Sequence, residues 1–169
     1  MDRLLAFYLG SHPDDRGRML REILDQNDTW FELTHDFIQW LFPLPEVSHA
    51  NPHAPLLTRD VATLFRTDDI LKRHLTASFL RMLRFYGLER RDGQIQRSSQ
   101  WPTHNEWFRE GGHNNLRITR ILRCLTLCGM SEDARALLNC LEQLRAEEPA
   151  CGVGDRAFSF WRAAIVTRL

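Results

Sequence analysis

Apolar positions recur at helical spacing along most of the chain, and the breaks between them are marked by Gly, Pro, Asn and Asp. Leu4, Leu5, Phe7 and Tyr8 make a short amphipathic opening that Gly10 and the turn at residues 11–15 stop. Met19, Leu20, Ile23 and Leu24 repeat the pattern within residues 16–25, and Asn27 and Asp28 offer a cap for the next helix. That helix, residues 29–42, carries Trp30, Leu33, Phe37, Trp40 and Leu41 on one side and Phe31, Ile38 and Phe42 on another, which predicts deep burial. Glu32, His35, Asp36 and Gln39 form its polar edge.

Residues 43–57 hold Pro43, Pro45, Pro52 and Pro55 and read as a long loop of the kind that either carries function or drapes over a core. Thr58 caps a helix over residues 59–65 with Val61, Leu64 and Phe65 inward. Another follows over residues 70–85, with Leu71, Leu75, Phe79, Met82 and Leu83 in one stripe and Gly87 as its stop. Residues 88–97 alternate loosely around Asp92-Gly93, a dipeptide that favours a tight turn, and predict a two-stranded hairpin.

The second half is organised around residues 113–129. Ile118, Ile121, Leu122, Leu125 and Cys128 share one side of a predicted helix and Leu116, Cys124 and Leu127 another, leaving Asn115, Thr119, Arg123 and Thr126 as a narrow solvent-facing strip. His113, Arg117 and Arg120 lie between the apolar groups, so the pattern points an imidazole and two guanidiniums inward, where charges require partners. Ser131 caps a further helix with Ala134, Leu137, Leu138, Leu141 and Leu144 inward. Asp155 caps a last one, in which Phe158, Trp161, Ala164, Ile165 and Leu169 dock back. The expectation is an all-α, single compact domain over residues 1–169, with about seven helices and one small β-hairpin.

Composition narrows the function classes. Hydrophobic residues make up 43% and charged residues 26% of 169 positions, which suits a folded domain and argues against disorder. Formal net charge is zero, so no bulk electrostatic signal favours nucleic acid or an anionic membrane. Lys72 is the one lysine among 22 basic residues, and guanidiniums therefore supply nearly all positive charge. Cys124, Cys128, Cys140 and Cys151 do not pair by spacing. With no apolar leader and no apolar run of about 18 residues, the chain is expected to be cytoplasmic and without a membrane span.

Two blocks carry a family resemblance. His35-Asp36-Phe37-Ile38-Gln39-Trp40-Leu41-Phe42-Pro43-Leu44 and His113-Asn114-Asn115-Leu116-Arg117-Ile118-Thr119-Arg120-Ile121-Leu122 resemble the two signature blocks of the opioid growth factor receptor domain. The loop at residues 51–55, Met82-Leu83, Phe85-Tyr86-Gly87 and the hairpin glycine occur in the expected order, so the resemblance covers about residues 5–145. It implies a receptor domain whose animal members take an enkephalin-type peptide and are associated with the nucleus. It supplies no catalytic residue, and this chain shows neither the long repetitive charged C-terminal region nor a basic nuclear-targeting run.

The candidate ligand-binding set is His113, Asn114, Asn115, Arg117, Arg120, His35, Asp36 and Gln39. One reading has Arg117 and Arg120 bridging an acid such as Glu32 or Asp36 and tying the signature helices together. Another has them, with His113 and the first-turn amides near Asn114 and Asn115, holding a phosphate or carboxylate. His35 and His113 as an acid/base pair would make an enzyme acting on a phosphorylated or carboxylated substrate, but no Gly-x-Ser-x-Gly, phosphate loop or Cys–His pairing accompanies them. His49, His53 and His104 lack metal-ligand spacing, so no metal and no cofactor is expected. Trp101, Trp107 and Phe108 beside Arg97 and Arg109 could stack bases, although packing over the core suits them better. The leading expectation is a non-enzymatic binding module for a peptide, protein or small anionic ligand.

Overall fold

The computed structural model describes residues 2–168, so the predicted docking of Leu169 lies outside the described residues. The chain forms two compact units, one running to Arg81 and the other from Met82 to Arg168. Eleven helices and one two-stranded antiparallel hairpin occur among the described residues, which makes the fold all-α with a hairpin, as the pattern predicts. Five helices reach nine residues or more, and the other six are single turns or little longer.

The first unit contains α1 (Arg3–Tyr8), α2 (Leu20–Leu24), α3 (Asp28–Leu33), α4 (Ile38–Leu41), α5 (Arg59–Thr67) and the start of α6 (Asp69–Phe85). Side-chain caps set several of these starts. Asp2 accepts from the Leu4 and Leu5 amides, Asn27 from Trp30, Thr58 from Val61, and Asp68 from Ile70 and Leu71. Each such cap contributes about 1 kcal/mol. The core is aromatic: Phe7 and Trp40 rings lie 5.0 Å apart, Tyr8 and Phe65 4.7 Å, and Phe31 and Phe37 4.9 Å. The Tyr8 hydroxyl donates to the Leu41 carbonyl, which satisfies its polar end inside that core.

Residues 29–42, read as one helix, are two. Thr34 is extended at φ −99° and ψ 132°, ending α3 before α4 begins. In an unbroken helix Phe31 and Phe37 would point about 120° apart. The break brings both rings into contact and turns Leu33 out to solvent, where it is 73% exposed. Of residues 16–25 only Leu20–Leu24 is helical, and Leu64, expected inward, is exposed on α5.

The second unit contains β1 (Leu88–Arg91), β2 (Gln94–Arg97), α7 (Trp101–His104), α8 (Glu106–Glu110), α9 (Asn114–Leu127), α10 (Ser131–Glu147) and α11 (Asp155–Ala164). Arg91 pairs with Gln94 across the Asp92-Gly93 turn, where both residues have positive φ, 50° and 77°. Two positive values match the right-handed twist of the strands, and this is why the dipeptide was readable. Helix α9 packs against α10 and α11, and β2 lies on α10. The final two caps fall one residue earlier than expected, on Met130 and Gly154, so Ser131 and Asp155 sit inside their helices.

Candidate functional site

In the first unit the sequence block at residues 35–44 forms a buried wall, with every residue from 37 to 44 inside. Asp36 stands at its head, in the irregular stretch before α4. Its carboxylate accepts from Arg16 Nε at 2.9 Å and from Arg18 Nη2 at 3.0 Å. Arg18 also pairs with Asp14 at 2.6 Å, and Asp14, 5% exposed, takes the Arg16 and Arg18 backbone amides at 2.9 Å each. Burial works against charge on Asp36, but the hydrogen bonds and charges of Arg18 and Arg16 outweigh it and hold the carboxyl below its ordinary range. Arg18 is likewise raised, because Asp14 and Asp36 overcome its burial. The Asp36 carboxylate is thus engaged within its own unit by two arginines the sequence reading did not assign to it.

The same block pins the loop at residues 43–57. Asn51, 7% exposed, donates Nδ2 to the Asp36 carbonyl at 3.0 Å and accepts the His53 amide through Oδ1. Gln39 donates Nε2 to Ser48 Oγ at 3.2 Å, and the Leu57 amide closes the loop on the Leu44 carbonyl at 3.0 Å. Gln39 is 4% exposed, and its Oε1 is buried without a hydrogen-bond partner among the described residues. Turning the amide over would orphan the nitrogen instead, so one end stays unmatched in either orientation. Between these anchors Glu46, Val47, His49, Ala50, Pro52, His53 and Leu56 are exposed.

In the second unit the block at residues 113–122 opens α9. Asn114 is 2% exposed and Arg117 4%. Arg117 Nη1 donates to Asn114 Oδ1 at 3.2 Å, and the Tyr86 hydroxyl reaches the same oxygen at 3.4 Å. The Trp107 indole donates to the Tyr86 carbonyl at 3.2 Å, with the two rings 4.8 Å apart. Asn114 therefore joins the buried guanidinium to the aromatic cluster of α8. Arg120 is half-buried, as expected of an inward position, whereas His113 is exposed and Leu116 is 74% exposed. The strip expected to face solvent is half-buried instead, and the Trp161 indole of α11 donates to the Asn115 carbonyl at 3.0 Å. Periodicity alone cannot place a helix's polar edge when a neighbouring helix covers it with an indole able to bond to backbone.

The amides at the start of α9 are partly committed. Asn115 donates to the Gly112 carbonyl at 3.1 Å, and Leu116 and Arg117 donate to His113. The first-turn anion site imagined from the sequence loses these donors. Just ahead, Gly111 has φ 74° and lies against Gly152, whose amide bonds to the Phe108 carbonyl at 3.0 Å. A methyl group on Gly152 would come within 2.3 Å of the Arg109 carbonyl oxygen, so only glycine fits that crossing. His35 and His113 belong to different units and are both exposed. Trp101, Trp107 and Phe108 are buried against one another, which removes their faces from any base. Among the described residues no group of three metal-ligating side chains comes together, and no helix is long and apolar enough to cross a membrane.

Sequence reasoning missed Arg81 and Asn51. Arg81's bonds span 53 to 57 residues and the bond from Asn51 to the Asp36 carbonyl spans 15, and no local pattern connects those ends.

Comparison with known proteins places these two blocks in a receptor-type domain. The model of the opioid growth factor receptor conserved region matches residues 4–168, and the chain belongs to that family. It is similar to the opioid growth factor receptor of Homo sapiens, 31% identical over 159 residues, which cover 90% of this chain and 23% of that protein. It also resembles opioid growth factor receptor-like protein 1 of Mus musculus, 36% identical over 130 residues, covering 72% of this chain and 27% of that relative, and its Xenopus tropicalis counterpart at 35%. The chain thus spans about a quarter of the length of these relatives. No solved structure matches.

Proposed function

We propose that the chain is a non-enzymatic binding module of the receptor type, for a peptide, protein or small anionic ligand, with the loop at residues 43–57 as its recognition surface. The observation that carries this reading is that the loop is exposed along its crest yet fixed at its base by Asn51, Gln39 and the Leu44–Leu57 closure. A loop ordered before binding loses little conformational entropy on binding, which is what a recognition surface needs. The relatives' name, opioid growth factor receptor, favours a peptide.

In this reading the candidate residues divide by reach. Gln39, Asn114 and Arg117 are buried and hold the frame. In the first unit His35 reaches the surface and Asp36 is half-buried, and in the second unit His113 reaches the surface while Asn115 and Arg120 are half-buried. Hydrogen exchange with and without an enkephalin-type peptide tests the assignment. Slower exchange confined to residues 43–57 supports it, and protection elsewhere, or none at saturating peptide, contradicts it.

A further inference from the structure

A cleft of about 290 Å³ opens in the first unit and is lined by Arg3, Ala6, His12 and Pro13. Arg3 is exposed, and its guanidinium lies 5.3 Å from the centre of the Trp40 ring while Nη1 donates to the His53 carbonyl at 3.3 Å. It pairs with no carboxylate among the described residues. Stacking on an indole and one backbone bond hold the group in place without neutralising it. The remaining N–H groups form a planar fork, the geometry that takes a carboxylate through two parallel hydrogen bonds.

The nearby acids are engaged elsewhere: Asp2 caps α1 through the Leu4 and Leu5 amides, and Asp15 accepts from the Trp40 indole. They nonetheless leave the neighbourhood with little net positive charge. One guanidinium and an imidazole then suit a single negative charge and not a phosphate dianion, whose second charge would find no counter-ion. Ala6, Pro13 and the aliphatic stem of Arg3 offer the charged group's tail an apolar wall.

We propose that this cleft binds a small organic carboxylate with a short apolar tail, Arg3 clamping the carboxylate and His12 supplying a second donor. The lining residues lie outside the loop, which Arg3 touches only through the His53 carbonyl, and the site does not depend on a peptide binding to the loop.

The test is a titration of the isotope-labelled chain with hexanoate, hexanamide and inorganic phosphate, followed by NMR at the Arg3 Nε–H, Ala6 and His12 signals. Hexanoate should give saturable shifts in the millimolar range, with hexanamide at least about tenfold weaker because the charged pair is lost, and phosphate at least about tenfold weaker because its second charge finds no counter-ion and it has no apolar tail. Arg3→Gln should abolish the shifts while the rest of the spectrum stays as in the parent. Arg3→Lys, which keeps the charge and loses the fork, should weaken binding by about tenfold. No saturable response to hexanoate overturns the proposal. Equal binding of hexanamide or phosphate, or an Arg3→Gln chain that still binds hexanoate, overturns it as well.

Discussion

Arg81 is a buried cation clasped on several sides in the first unit, and replacing it by Met isolates what the clasp contributes. Its side chain is 6% exposed and sits on α6. Nε donates to the Leu24 carbonyl at 3.2 Å, and Nη2 donates to the Gln26 carbonyl at 2.7 Å and to Asp28 Oδ1 at 2.8 Å. The guanidinium lies 4.1 Å over the Phe31 ring. One side chain thus closes the end of α2 and the start of α3 onto α6. Charge-assisted hydrogen bonds contribute about 1.5–3 kcal/mol each, and desolvated stacking on a ring about 2 kcal/mol. Met refills most of the volume, and water can reach Asp28, which is 32% exposed, so part of the loss is recovered. Breaking a buried pair from one side costs about 3–5 kcal/mol, and we place Arg81→Met at the lower end, about 3 kcal/mol. For a chain of this length that is a fall in Tm of about 6–12 °C. Urea unfolding with an unchanged m-value is the assay. Asp28→Asn should cost only about 1 kcal/mol, because the two carbonyl bonds survive it. A loss below about 1 kcal/mol for Arg81→Met, or equal losses for both variants, would refute the clasp.

Other outcomes follow from the same structure. Gly152→Ala should lower stability by about 2 kcal/mol or more, since its methyl group meets backbone that cannot swing aside, and thermal melting reads this directly. Asp36 has a folded pKa held below its unfolded value, so its stabilisation is present above the ordinary carboxylate range and lost as pH falls through the folded value. The Tm gap between parent and Asp36→Asn should therefore be widest at neutral pH and close as pH drops below about 4; a constant gap would refute the ion-pair account. Burial and Glu147 push the Cys140 thiol up, against Arg97, to about 11, and burial raises Cys124 well above its usual value. Mass spectrometry after brief iodoacetamide treatment of the folded chain at pH 8 should find Cys151, the one half-exposed thiol among the four, modified first. Gln39→Met should change stability by less than about 1 kcal/mol, because it removes both one hydrogen bond and one orphaned oxygen.

What was legible in the sequence follows the range of the interactions involved. The Asp92-Gly93 turn, the stop at Gly87, and the caps at Asn27 and Thr58 are decided within four residues, and each stands where the pattern put it. The break at Thr34 was hidden because apolar residues fall on two sides of residues 29–42 and leave only a narrow polar edge, which blurs the phase that would mark a change of direction. The second block was read correctly as a core helix with an inward guanidinium at Arg117. Its edges were not: His113 and Leu116 emerge to solvent, and the Trp161 indole covers the Asn115 edge from a helix some 46 residues further on. Asn51 looked like one more loop residue, yet it fastens the loop to the first block through a backbone carbonyl.

That fastening is the heart of the account, and a binding titration with a substituted loop crest tests it most directly. Val47 is 59% exposed and Leu56 39%, so Val47→Asp with Leu56→Asp should leave Tm within about 2 °C of the parent. Fluorescence anisotropy with a labelled enkephalin-type peptide should then show saturable binding to the parent chain and at least about tenfold weaker binding to the double variant. Equal affinity for both chains, or no saturable binding to the parent, would contradict the loop's role as the recognition surface.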